Sequence, residues 1–278
     1  MFSWPTNYDS CFTIAGVISK EGIGLHSGEK TRVKISPYGK EGFYVSFKNK
    51  PDEIFKLTQD LIGSTMLCTA VKLGSRNLYT IEHLLSSLAG CGLSYIHIEV
   101  EGKEIPLLDG SAIQWVRAFE EVGIKEVPKP NNFFRQFNKP LIFNKDSSVI
   151  ALTPSDKTTI ISTINFSYKA IGNQSFAIDL NPKCYVEKIA PARTFGFKDQ
   201  FQELRELGLI KGGSLENALV CDDDKWVNPP LRFNDEPIRH KILDLIGDLA
   251  LVGLPRAQII VYKGSPALNA LLASSLKN

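Results

Sequence analysis

Apolar and polar positions alternate at period two near the start of the chain, in FTIAGVIS (12–19), TRVKISP (31–37) and FYVSF (43–47). β-Branched and aromatic residues fill many of these positions, which predicts strands. Between the first two runs lies GIGLHSG (22–28), whose three glycines predict a loop. Leu84, Leu85 and Leu88 then recur at helical spacing. They predict a helix over 81–89, with Thr80 as its N-cap and Gly90 and Gly92 ending it. SYIHIEV (94–100) alternates again as a strand, and PLLDGSA (106–112) leads into a second helix over 113–122.

The segment KEVPKPNN (125–132), rich in proline and polar residues, predicts a linker between an N-terminal domain, 1–128, and a C-terminal domain, 133–278. SVIALTP (148–154) and TTIISTINF (158–166) predict strands. Residues 180–230 are irregular, with an insertion around 185–215. A long helix is predicted over 238–252, followed by a strand, AQIIVYK (257–263), and a closing helix, ALNALLASSL (267–276). Both halves end alike: a helix starting near a histidine, glycine, strand, final helix. This order predicts an α+β fold of two similar domains, each a small sheet layered with helices, as from a duplication.

Composition narrows the picture only a little. Hydrophobic residues make up 43% of the chain and charged ones 22%, the values of a globular protein with a sizeable core. The formal net charge of +2 comes without a long Lys/Arg run, which argues against a nucleic-acid surface. Cys11, Cys68, Cys91, Cys184 and Cys221 form no CxxC pair and point to a reducing cytoplasm. The N-terminus lacks the features of a signal peptide, and no apolar stretch approaches the roughly 18 residues of a membrane span.

The chemistry gathers in two places. Within the 238–252 helix, His240 and Asp244 stand four residues apart and so share one face, with Cβ atoms roughly 5–6 Å from each other. TIEH (80–83) adds His83 and a spare carboxylate, Glu82. His83, His240 and Asp244 would supply about three protein ligands, as catalytic zinc sites do, leaving a place for water. Glu82, adjacent to a ligand, is the natural general base. The same spacing also fits a solvated pair on a helix face. Two histidines and a carboxylate equally suit a non-haem iron oxygenase, so pattern alone leaves metal and reaction open.

TIEHLLSSLAG (80–90), GIGLHSG, EIPLLDGSA (104–112), ARTFGF (192–197), GGSLENALV (212–220) and RHKILDLIGDL (239–249) are similar to the signature segments of the UDP-3-O-acyl-N-acetylglucosamine deacetylases. These are zinc amidases of lipid A synthesis. The segments run in family order from about Phe12 to Leu276, while 38–60 and 131–185 resemble the family less. The resemblance implies two domains with the active site between them. It implies hydrolysis of the N-acetyl amide of a UDP-linked, 3-O-acylated glucosamine, releasing acetate. It further implies Zn2+ held by His83, His240 and Asp244 (ligands that also accept Fe2+), with Glu82 as base. Thr194 would donate to the developing oxyanion, typically worth a few kcal/mol. Phe195 would line the pocket near the sugar, Lys241 would face the UDP diphosphate, and the 185–215 insertion would hold the acyl chain. The resemblance also implies a monomer. His26 is expected to play a supporting role, and His97 to be a packed or edge-strand residue.

One segment departs from the family. KGSPALN (263–269) carries Pro266 where the family has a second catalytic histidine. Asp248, which would orient that histidine, therefore lacks its partner, and none of His26, His83, His97 and His240 replaces it in sequence. The expectation is a working deacetylase with altered acid catalysis. Glu82 would act as both base and acid, with Lys263 or a water supplying charge or a proton. Loss of a general acid costs roughly 10²–10⁴-fold in rate. A UDP-sugar or acyl-ligand binder without chemistry is the alternative, and an iron oxygenase a second one.

Overall fold

A computed structural model of the chain describes residues 2–63, 67–129, 134–135 and 138–276. The first half contains β1 (Cys11–Ile14), β2 (Ile18–Ile23), β3 (Lys30–Pro37), β4 (Phe43–Phe47), β5 (Lys50–Lys56), β6 (Val71–Leu73), β7 (Arg76–Leu78), α1 (Glu82–Gly90), β8 (Ile96–Glu101), α2 (Ile113–Val122) and β9 (Ile124–Val127). The second contains β10 (Phe134–Arg135), β11 (Leu141–Lys145), β12 (Ser148–Pro154), β13 (Thr159–Asn165), β14 (Asn173–Asp179), α3 (Pro182–Lys188), β15 (Phe195–Phe197), α4 (Phe201–Glu206), β16 (Leu219–Asp222), β17 (Lys225–Trp226), α5 (Glu236–Leu249), β18 (Leu254–Pro255), β19 (Ala257–Tyr262) and α6 (Pro266–Ser275).

Two five-stranded sheets carry the fold, ordered β2-β3-β8-β4-β5 and β11-β12-β19-β13-β14. Strand by strand the order is the same in both, and so is the pairing: antiparallel, antiparallel, parallel, antiparallel. In each, the last strand enters the middle of the sheet between a preceding helix (α1 or α5) and a following one (α2 or α6). The repeated order of elements read from the sequence is thus a repeated topology. Val33, Ile98, Leu84, Ile246, Ile259 and Leu272 belong to one continuous core, so the helices and the inner faces of both sheets share a single apolar interior.

The contact between α1 and α5 fixes the geometry of everything below. Every residue of α1 is buried. A Cβ added at Gly247 would lie 2.1 Å from the carbonyl oxygen of Glu82, so α5 runs against the α1 backbone itself. Gly90 plays a similar part at the other end of α1, where a Cβ would meet the Tyr185 ring at 2.4 Å.

The structure corrects several expectations. The 12–19 run is two strands, because β1 pairs with β9 in a sheet of its own and the chain joins the main sheet only at β2. The linker reading therefore fails over 125–127, which belong to β9 and pair with β1; residues 130–132 lie outside the described residues. Thr80 is not an N-cap. Its φ is +58°, its hydroxyl donates to Glu104, and Ile81 occupies the cap without a side-chain bond. The long helix starts at Glu236, with Pro237 in its first turn, and ends at Leu249, short of the expected residue 252. The irregular stretch conceals α3, whose start Asn181–Pro182 is a capping signal: the Asn181 carboxamide accepts from the Cys184 amide at 2.9 Å.

Candidate metal centre and substrate cavity

His83 lies in the first turn of α1, and His240 and Asp244 on the facing side of α5. The tight approach at Gly247 brings their donor atoms within 4.8 Å of one another. Asp244 Oδ1 stands 3.3 Å from His240 Nε2 and 3.6 Å from His83 Nε2. The two rings meet edge to face, with centroids 4.9 Å apart. Donors held about 2.0–2.2 Å from a tetrahedral ion are about 3.3–3.6 Å from each other, so this set fits a small divalent cation.

The ligand protonation states agree with that fit. His240 Nδ1 donates to the Ala192 carbonyl at 3.0 Å, which directs the Nε2 lone pair toward Asp244 and His83. Burial lowers the His240 pKa to about 4, against the opposing pull of Asp244, so the ring is neutral at physiological pH. Burial works against ionising Asp244, but His240, Lys241 and His83 together hold its carboxyl well below the usual range. In metal-free protein, ring ¹⁵N NMR should therefore show His240 neutral at pH 6 and titrating near 4; a midpoint close to 6.5 would contradict this. His83 Nδ1 is buried without a hydrogen-bond partner among the described residues.

Two further carboxyls flank the triad. Glu82 is buried, and its Oε2 accepts from the Thr69 amide at 3.1 Å. Burial, then Asp244 and Asp248, push its pKa well above the usual carboxylate range. Asp248 accepts from Thr69 Oγ1 at 2.6 Å and from Asn269 Nδ2 at 3.0 Å. Burial raises its pKa to about 7 against these two donors. Asn269, one turn into α6 beyond Pro266, thus occupies an oxygen of Asp248.

All of these open onto one cavity of about 400 Å³, in the range of small-molecule sites. Glu82, His83, Thr194, Phe195, His240, Lys241, Asp244, Asp248 and Pro266 are on its wall. Thr194 is fixed through its backbone: its amide donates to Gly110 at 2.7 Å and its carbonyl accepts from Leu219 at 2.8 Å. Phe195 packs edge to face on Phe166 and on the His240 ring, at 5.7 and 6.4 Å. Lys241 Nζ donates to Asp244 Oδ2 at 3.2 Å and lies 5.7 Å over the Phe195 ring.

From the irregular stretch come Phe197, Phe201, Leu204, Ile210 and Leu215, which make much of the remaining wall apolar. Phe166, Leu25, Leu67 and Leu107 from outside it complete the apolar part. Sequence reasoning assigned no role to these four or to Thr69, which come together only through the fold.

Lys263 sits elsewhere than expected, while His97 and His26 agree with their expected places. Lys263 is not on the wall; its ammonium lies 5.5 Å over the ring of Tyr262, on the exposed side of β19. His97 is packed but not at an edge, since β8 is central; its Nε2 is 2.9 Å from Ser46 Oγ. His26 is on the wall, with its amide and that of Ser27 bound to buried Glu104 at 2.9 Å.

A family model described as UDP-3-O-acyl N-acetylglycosamine deacetylase matches residues 12–278. Proteins named UDP-3-O-acyl-N-acetylglucosamine deacetylase are similar over nearly full length. That of Trichormus variabilis is 42% identical over 271 residues, covering 95% of this chain and 97% of its own. That of Synechocystis is 41% identical over 272 residues, with the same coverage of 95% and 97%. That of Campylobacter jejuni is 36% identical over 266 residues, covering 95% and 90%. With a catalytic-type donor triad, flanking carboxyls and an apolar cavity between its two repeats, the chain belongs to the UDP-3-O-acyl-N-acetylglucosamine deacetylases, a family of metalloenzymes.

Proposed function

We propose that this site hydrolyses the N-acetyl amide of UDP-3-O-acyl-N-acetylglucosamine, releasing acetate, as a step of lipid A biosynthesis. The observation that carries the proposal is the meeting of the His83–His240–Asp244 triad, buried Glu82 and the apolar cavity at one place. The family assignment does not favour the binding-only or oxygenase readings.

His83, His240 and Asp244 would hold the ion, and a set of two nitrogens and one carboxylate suits Zn2+ while also accepting Fe2+. When bound, such an ion polarises a carbonyl oxygen and lowers the pKa of a coordinated water to about 7. Glu82, held by the Thr69 amide at Oε2, takes the proton of the attacking water at Oε1 and returns it to the departing amine nitrogen. Thr194 directs its hydroxyl to the developing oxyanion, from a backbone pinned on both sides. Phe195 gives the sugar an apolar floor. Lys241 neutralises part of Asp244 and offers its remaining N–H donors to the diphosphate. The acyl chain fills the part of the cavity walled by Phe197, Phe201, Leu204 and Leu215.

We place this work in the cytoplasm: the five cysteines are free, as a reducing compartment keeps them. No helix among the described residues is long and apolar enough to cross a membrane.

The deciding test is acetate release from UDP-3-O-acyl-N-acetylglucosamine by the zinc-loaded protein. No release from folded, metal-bound protein would sink the proposal. The cavity wall bears on the proline as well. Pro266→His should raise kcat, because it returns a proton donor to the wall beside Asp248. An unchanged kcat in that variant would show that another wall group already protonates the amine.

A further inference from the structure

Thr69 occupies an unusual place in this machinery. It lies just ahead of β6, 13 residues from Glu82 and 179 from Asp248 in sequence, yet it is hydrogen-bonded to both. Its amide donates to Glu82 Oε2 at 3.1 Å and its hydroxyl to Asp248 Oδ1 at 2.6 Å. Its carbonyl accepts from the Ile81 amide at 3.3 Å, at the cap of α1. Among the described residues it is the one that bonds both carboxyls. It is 2% exposed, and it forms part of the cavity wall.

Each bond does a different job. The amide bond commits one oxygen of Glu82 to the protein and so fixes the rotation of the carboxylate about its last bond. A main-chain amide has no tether of its own, however; it stays in place only if the segment carrying it does. The hydroxyl bond supplies that tether by anchoring residue 69 to α5. Asp248 is well suited as the anchor, because Asn269 holds its other oxygen and α5 is locked against α1 at Gly247.

We propose that Thr69 is a positioning residue for hydrolysis, whose hydroxyl anchors its segment to Asp248 so that its amide aims the Glu82 carboxylate. This rests on the deacetylase reading, and on Glu82 as its base. It gives Asp248 a task that needs no histidine at position 266.

The experiment compares Thr69→Val, which keeps the shape and the amide but loses the hydroxyl, with Thr69→Ser, which keeps both. In Thr69→Val, kcat should fall about 10–100-fold with KM within about twofold, since misplacing a reacting group by about 1 Å costs up to about 10²-fold. Thr69→Ser should return kcat to within about threefold of the parent, and both variants should keep their bound zinc. Crystal structures should show the residue-69 amide more than about 3.5 Å from Glu82 Oε2 in the valine variant only. Should the valine variant fail to fold, Thr69→Ala also lacks the hydroxyl and carries the same expectations. A hydroxyl-less variant with parental kcat, a serine variant as slow as it, loss of zinc, or an unmoved Glu82 contact would each overturn the proposal. If the parent protein itself releases no acetate, the functional reading fails, and the crystallographic comparison still decides the role of Thr69.

Discussion

Glu82→Ala should lower acetate release about 10²–10⁴-fold while leaving the protein folded and its metal in place. The range is that of a lost general base, and it sits at the upper end if Glu82 also returns the proton. Glu82 is not one of the three clustered donors, so its removal spares the triad. Stability should suffer little. Burial and the nearby Asp244 and Asp248 disfavour its ionised form, so its loss costs mainly the acceptor of the Thr69 amide. Glu82→Gln, closer in shape, keeps an acceptor for the Thr69 amide and should be nearly as slow. Acetate assays beside elemental analysis check both halves of the expectation. Activity within tenfold of the parent would move the base to another wall residue.

His240→Ala should abolish both the bound metal and the activity. The ring is held by the Ala192 carbonyl at Nδ1, which leaves Nε2 facing the triad 3.3 Å from Asp244 Oδ1. Replacing it removes a donor and leaves a buried carbonyl with its partner gone. Loss of an outer hydrogen-bond partner typically costs about 10–100-fold in metal affinity, and loss of a donor from a three-donor set costs more. Metal content after dialysis, measured beside acetate release, is the readout. A variant that keeps stoichiometric zinc would show that the ion sits elsewhere.

The strands of the two main sheets that alternate most clearly, β3, β8, β13 and β19, were legible because burial on one face alone writes period two into a sequence. The edge strand β5, KPDEIFK, was not: six of its seven residues are exposed and nothing alternates. β14 carries only a weak version of the pattern, with one residue fully buried. The triad residues could be proposed from i, i+4 spacing and a Glu-His pair, because a helix face is a local property. That His83 meets them is a property of α1 packing on α5, which no spacing encodes. The same holds for Thr69, whose partners lie 13 and 179 residues away. Lys263 was misjudged for a related reason: it is near Pro266 in sequence, but the end of β19 sends it outward.

The contact at Gly247 also acts as a caliper. Where helices meet through long side chains, rotamers can give and the gap between them can breathe. Here a glycine Cα lies on a carbonyl group, and neither has a rotamer to change. The helix separation behind the 3.6 Å gap between His83 Nε2 on one repeat and Asp244 Oδ1 on the other is therefore set by backbone. Calcium, which takes about six to eight oxygens, is poorly served by two imidazole nitrogens and one carboxylate. The approach of the two helices that carry the donors is in this way written at a position that supplies none of them.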